Sequence, residues 1–296
     1  MISVLTSEPI QVLVLINVIL TLSLLFPFVT GVWSMGLPGM MCAGAYAASY
    51  LSVAMHTPIY IAIAVGGVAG GLISLPFASL ALRIQGINLA IATLAASELL
   101  LLFFSHFEPT GSVSGYMGME FLPVLPIAII AASIAAVCVW IYCSRLGKAM
   151  IAAGVDPLVA ECNGVNVRAL QLLALALGGV LAGVAGGLYA HYYTFISPAN
   201  FGFDRLISVL MFLVIGGLTP LGAIAGAVTL SLLPQFVTGF EAWAPAIYAV
   251  LLIVVVALLP DGVFRKNRLQ ELRSIFARSQ RSQSAPPIAA KAGASK

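Results

Sequence analysis

Glu98 is the residue in this 296-residue chain whose position most needs a chemical reason. It stands in Ala95-Ala96-Ser97-Glu98-Leu99, inside an apolar run from Ile87 to Phe104. A carboxylate at that depth is costly unless it faces protein or water, so it is expected to point inward. The roles open to it are a pathway lining, a gate, a proton-coupling site, or a structural hydrogen-bond partner for a neighbouring helix. Asp204-Arg205, at the start of a later run, reads as an ion pair or helix cap. His106 and His191 lie beside aromatics near run ends, as interface anchors do. Cys42, Cys138, Cys143 and Cys162 lack CxxC spacing and read as small packing hydrophobes. No His/Cys/carboxylate cluster has metal-ligand spacing, and no Ser/His/Asp arrangement suggests hydrolysis.

Ser144 to Arg168, the longest polar connection, carries a legible sequence of starts and stops. Ser144 can cap a helical extension that fades at Gly154. Asp156-Pro157 reads as an N-cap followed by proline at the first helical position. Leu158, Val159, Ala160, Glu161 and Cys162 then form barely two turns. Asn163-Gly164 tolerates the left-handed conformation of a helix stop, and Asn166 can cap the helix that follows. The expected product is a short helix held across the membrane surface, with Leu158 and Val159 available for a cytoplasmic partner to grip; a surface helix lying on lipid headgroups is the alternative.

The elements that must position these groups are membrane helices. Hydrophobic residues make up 61% of the chain and charged residues 8%, against about a quarter charged in soluble domains. Apolar runs fall at Ile10 to Val29, Val32 to Met55, Ile59 to Leu82, Ile87 to Phe104, Leu122 to Cys143, Ala169 to Ile196, Leu206 to Phe236 and Trp243 to Leu259. At about 20 residues per span, the expected fold is all-α, a polytopic transmembrane bundle of about eight segments. Residues 1–264 form the membrane domain, with the loop 144–168 cytoplasmic, and 265–296 a basic, disordered cytoplasmic tail. That tail holds eight of the 13 Lys/Arg. The basic excess is therefore not a folded face for nucleic acid. Arg83, the cluster Arg145, Lys148 and Arg168, and the tail mark three inside loops, while His106 to Phe121 suits the outside.

Two interruptions stand out. Gly216, Gly217, Pro220 and Gly222 lie in one run and should divide it into two short helices, which restores the parity of crossings between Ile196 and Asp261. Broken helices at membrane depth often line transport paths, so these four residues are candidate pathway or gate elements. Gly36-Leu37-Pro38-Gly39 opens an earlier run in the same way, and either break could be re-entrant. Gly67 and Gly71, Gly179, Gly183 and Gly187, and Gly222 and Gly226 form ridges of small residues. Such ridges let membrane helices approach closely and argue for a packed bundle with a partner. No GxxxxGK[ST] phosphate loop occurs, so the composition suits the membrane half of a machine whose motor is another subunit.

Several motifs carry a family resemblance. The loop from Gly147-Lys148 to Asn166-Val167, with Asp156, Ala160, Glu161, Gly164, Val165 and Asn166, resembles the cytoplasmic motif of the branched-chain amino-acid ABC transporter permeases, the Liv type. Ala182 to Ala190 followed by Phe195-Ile196-Ser197-Pro198 resembles the family's glycine-rich segment. Gly216-Gly217-Leu218 with Gly222 and Gly226 resembles its glycine turn. Gly44-Ala45-Tyr46 and Ala92-Thr93-Leu94 with Glu98 match two further patterns, and Arg83 to Glu98 is similar to the LivM-like subunit type. Arg168 or Gln171 stands where the family usually has lysine, and Leu218-Thr219-Pro220-Leu221 replaces Leu-Gly-Ser-Leu.

The resemblance implies a non-enzymatic permease subunit of an importer in the bacterial inner membrane. It would pair with a second Liv-type permease, two ATP-binding subunits and an external solute-binding protein, with ATP and magnesium bound by partners and no cofactor in this chain. The solute would be a branched-chain or related amino acid; urea and short amides are carried by related permeases. From a different class, an ATP-independent transporter or channel would use Glu98 as its coupling or filter group.

Overall fold

The computed structural model describes residues 7–81, 83–84 and 86–236. Ten α-helices are present among the described residues. They are α1 (Glu8–Val29), α2 (Leu37–Ala54), α3 (Ile59–Ala81), α4 (Ile87–His106), α5 (Val124–Cys143), α6 (Arg145–Val155), α7 (Pro157–Cys162), α8 (Val167–Tyr193), α9 (Phe203–Gly216) and α10 (Pro220–Phe236). Among the described residues six stretches are long and apolar enough to cross a membrane: α1, α3, α4, α5, α8 and the segment Pro198–Gly216 that contains α9. Helices α2 and α10 pack with them, giving the polytopic all-α bundle expected. The run Trp243 to Leu259, the boundary at 264 and the basic tail lie outside the described residues.

Helix α8 is the spine, packed against α1, α2 and α3. Its backbone comes close to theirs because glycines remove the side chains between them. A Cβ on Gly44 of α2 would meet the Gly183 backbone, and one on Gly183 would meet the carbonyl oxygen of Gly66 in α3. A Cβ on Gly179 would lie 2.6 Å from the carbonyl oxygen of Gly70. The ridges thus serve contacts within this chain. On α3 the closest backbone approach falls to Gly66 and Gly70; Gly67 and Gly71 instead receive the Val184 and Val180 side chains, each 2.7 Å from the Cβ they would gain. Gly187 lies against Ala48 and Ile63. Helix α1 is apolar on every side because it is enclosed, as helices apolar all round are; 78% of its spanning window is buried, against 17% for α5. Inside it Asn17 donates through Nδ2 to Ser231 Oγ of α10 at 2.9 Å, a cross-helix bond worth about 0.6–2 kcal/mol in a membrane.

The bundle's two ends are set by contacts at the ends of α1. Its last turn touches the 144–168 loop, since a Cβ on Gly154 would meet the Val29 carbonyl oxygen. Glu8 is within electrostatic reach of Tyr192 at the opposite end. With the basic loop inside, α1 runs from outside to inside, an orientation the charges alone left open. The interruption at Gly36 to Gly39 is the start of α2, preceded by non-helical chain from Gly31. Its amides find acceptors on α4: Met35 N–H donates to Thr93 Oγ1 at 2.9 Å and Gly39 N–H to Ser97 Oγ at 2.7 Å. Thr93 and Ser97, one turn apart, therefore hold the broken entry of α2.

The second interruption turns the chain back. Gly217, at φ +88, ends α9, Pro220 starts α10, and the two helices form a hairpin. Tyr142, at the inner end of α5, donates to the Leu218 carbonyl at 3.2 Å and places the turn at the inner face. Gly216 and Gly222 face each other's carbonyl oxygens, and Gly226 meets the Phe212 carbonyl oxygen. These glycines are taken up by the close packing of α9 on α10. At the outer end, 107–123 folds over the bundle, with β1 (Tyr116–Met117) paired antiparallel to β2 (Phe195–Ile196). Leu122 N–H donates to the His191 carbonyl at 3.1 Å, and Ser49 Oγ donates to Met119 Sδ at 3.1 Å.

Candidate functional site

Glu98 does not enter the interior of this chain's bundle. Helix α4 is peripheral, and its inward face is committed to Thr93 and Ser97, which bond the start of α2. The next residue along a helix points about 100° away, so Glu98 is exposed on the open side of α4. There it lines a groove of about 790 Å³ formed with Ala95, Leu99, Leu102, Ser105 and the turn Ser197 to Ala199, reaching Gly202. The wall is mostly aliphatic. Glu98 is its one ionisable group, and it makes no hydrogen bond or ion pair with any described residue. Leu99 and Phe103 on the same helix are also exposed. A carboxylate on such a face requires a further protein surface or water beside it.

The inner-face loop forms as its sequence indicates. Ser144 Oγ accepts from Gly147 N–H and starts α6, whose Met150 and Ala153 are buried against the bundle. Asp156 Oδ1 accepts from Leu158 N–H at 3.0 Å and Val159 N–H at 3.1 Å, with Pro157 at the first helical position of α7. At the other end Gly164 takes φ +78, its N–H donating to the Glu161 carbonyl while Val165 N–H reaches the Ala160 carbonyl. This is the paired closure of a glycine-stopped helix. Asn163 stays right-handed, and its Nδ2 donates to the Val159 carbonyl at 2.8 Å. Asn166 Oδ1 then caps α8 through Ala169 N–H at 3.1 Å. Leu158 and Val159 are 71% and 55% exposed, so six residues with both ends fixed present two aliphatic side chains at the inner face.

Three expectations are corrected. Asp204 and Arg205 form no ion pair, and Gly202 rather than Asp204 is the N-cap of α9; Arg205 turns to the Tyr189 ring, 5.5 Å from its centroid. His191 is buried rather than interfacial because the 107–123 cover closes over it, and Nδ1 bonds the Gly187 carbonyl. Cys42 and Cys138 are buried, whereas Cys143 and Cys162 are exposed at the inner face, where the helices carrying them end. Sequence reading passed over Asn17, whose signal was a lone amide in an otherwise apolar run. It read Arg205 as half of an ion pair, whereas its Nε and Nη2 find no acceptor among the described residues, which no sequence pattern announces. Among the described residues no group of three or more His, Cys, Asp or Glu could hold a metal ion.

Spanning helices around a glycine-packed spine, a capped helix at the inner face and a lateral groove with a lone carboxylate define an integral membrane protein of the polytopic helical class. The chain belongs to the family described as branched-chain amino acid transport system / permease component, whose model matches residues 8–259. It is 24% identical over 282 residues to the high-affinity branched-chain amino acid transport system permease protein LivM of Escherichia coli K12, covering 81% of this chain and 65% of that protein. It is 28% identical over 162 residues to a probable branched-chain amino acid transport permease protein LivH of Methanocaldococcus jannaschii, covering 51% and 50%. Over 234 residues it is 26% identical to the guanosine ABC transporter permease protein NupP of Bacillus subtilis, covering 70% and 66%. No solved structure matches.

Proposed function

We propose that this chain is the membrane-spanning subunit of an ATP-driven importer in the bacterial inner membrane. It pairs with a second permease and two ATP-binding subunits and receives a branched-chain or related amino acid from an external binding protein. The observation that carries this reading is α7, closed by Asp156 at one end and Gly164 at the other, with Leu158 and Val159 outward. A helix braced against α6 and α8 can pass a push from a motor subunit into the bundle. ATP hydrolysis belongs to the partners, and alternating access follows from nucleotide and loaded binding protein favouring different states. The second permease covers the open side of α4, so that solute passes along the Glu98 groove. Its aliphatic wall and single carboxylate suit an ammonium group with a branched side chain better than a neutral nucleoside.

The test is uptake of labelled leucine into proteoliposomes holding the complete complex. Import that needs internal ATP and the binding protein supports the reading; import driven by a proton gradient alone would replace it with a secondary transporter. Gly164→Val should uncouple the two activities. A side chain in the left-handed region costs about 1–2 kcal/mol, enough to shift a six-residue helix from closed to frayed about tenfold. Leucine uptake should drop by about that factor, with complex assembly and basal ATPase retained. Wild-type uptake together with wild-type stimulated ATPase would remove α7 from the coupling path.

A further inference from the structure

The guanidinium of Arg205 is left unused by everything above. Its Nε and Nη2 are buried and have no hydrogen-bond acceptor among the described residues. It sits in the first turn of α9, where the helix dipole disfavours a cation and favours an anion. Around it stand aromatic rings. Tyr189 lies under the guanidinium, Tyr193 leans on Tyr189 with centroids 4.5 Å apart and planes tilted by 39°, and Phe201 packs edge-on to Tyr189 at 5.6 Å. Asp204, next in sequence, is exposed and does not pair with it. Buried donors on a charged group without acceptors are costly, and the cation–π contact supplies no acceptor. Arg205 lies three residues beyond Gly202, the last residue of the stretch that walls the Glu98 groove.

We infer that Arg205 is a carboxylate-binding residue for the transported solute, complementary to Glu98, which takes the ammonium. This rests on the importer reading and adds the second half of a zwitterion's recognition. The planar fork of arginine matches a carboxylate with two parallel hydrogen bonds. Nε and Nη2 are enclosed in this state, so the carboxylate engages them when the Tyr189 ring moves off the guanidinium during switching. Return of the ring after the solute has passed excludes water from the site.

The test separates the two charges. Isovalerate carries a branched chain and a carboxylate but no ammonium; isoamylamine carries the ammonium alone. Binding of each is measured by competition against labelled leucine on the complete complex in neutral phosphatidylcholine nanodiscs. Arg205→Gln should weaken isovalerate at least about tenfold and leave isoamylamine unchanged, and Arg205→Lys should recover part of the loss. Should leucine prove not to be bound, direct calorimetric titration of wild-type complex with isovalerate decides the Arg205 site apart from the importer reading. Equal isovalerate affinity in wild type and Arg205→Gln, or none in wild type, overturns the proposal while ATP-driven uptake would still stand. Parallel loss of both probes with a lowered melting temperature would assign a structural role instead. Wild-type dependence on phosphatidylglycerol that Arg205→Gln abolishes would give the guanidinium to a lipid phosphate, and overturn it equally.

Discussion

Gly183→Val should leave little folded protein to recover from the membrane. Gly183 sits where α2, α3 and α8 cross, and a Cβ there would meet the Gly66 carbonyl oxygen and come within 3.1 Å of Gly67 Cα. From the α2 side, Gly44 approaches the Gly183 backbone itself. Both obstacles are main chain inside helices, so no rotamer change relieves them. Overpacking ordinarily costs about 1–3 kcal/mol; with two rigid helices to displace, the loss should exceed that range and approach the whole stability of about 5–15 kcal/mol of a typical domain. Gly187→Ala is the matched control. Its Cβ would lie 3.3 Å from Ala48 Cβ and 3.4 Å from Ile63 Cα, a crowding that a shift of a few tenths of an ångström relieves. Size-exclusion profiles and melting temperatures of the detergent-solubilised variants decide the matter. A monodisperse Gly183→Val protein melting with the wild type would show that the three helices are not held as described.

Glu98→Gln should abolish most uptake while leaving the protein as stable as before. Glu98 bonds to no described residue of its own chain, and its groove is open, so the substitution removes no support given by the described residues. What is lost is attraction for a cationic group in an aliphatic surround. A hydrogen bond to a charged partner contributes about 1.5–3 kcal/mol, which corresponds to roughly 10–100-fold in binding or rate. Uptake of labelled leucine by the reconstituted complex should fall within that range, with expression and melting temperature unchanged. Glu98→Asp, which retracts the carboxylate by one methylene, should fall between. If Glu98→Gln instead lowers the melting temperature and transports normally, the residue is a structural contact to a neighbouring subunit and the groove is not the path.

The features legible from sequence were those governed by near neighbours. Asp156-Pro157, Gly164 and Asn166 specify helix starts and stops through bonds to residues two to five positions away, so the chain itself carries their geometry. The break at Gly216 to Pro220 was readable for the same reason: a glycine at φ +88 followed by a proline cannot continue a helix. Length and hydropathy gave the spanning runs. Thr93 and Ser97, by contrast, lie 58 residues from the amides they satisfy, and nothing local distinguishes them from other helix hydroxyls.

The sequence by itself thus determined that this is a polytopic helical membrane protein with a doubly capped helix at its inner face and a break between two short helices late in the chain. Only the tertiary structure decided which way each helix faces. Hydrophobicity in a membrane helix carries no phase, since lipid and protein interior are equally apolar. Rotation is fixed instead by backbone contacts at Gly44, Gly66, Gly70 and Gly183 and by hydroxyl-to-amide bonds across helices. Those contacts turn Ser97 inward, and because adjacent residues differ by about 100°, they turn Glu98 out to the groove. They also bury His191 beneath the outer cover and set Arg205 on Tyr189.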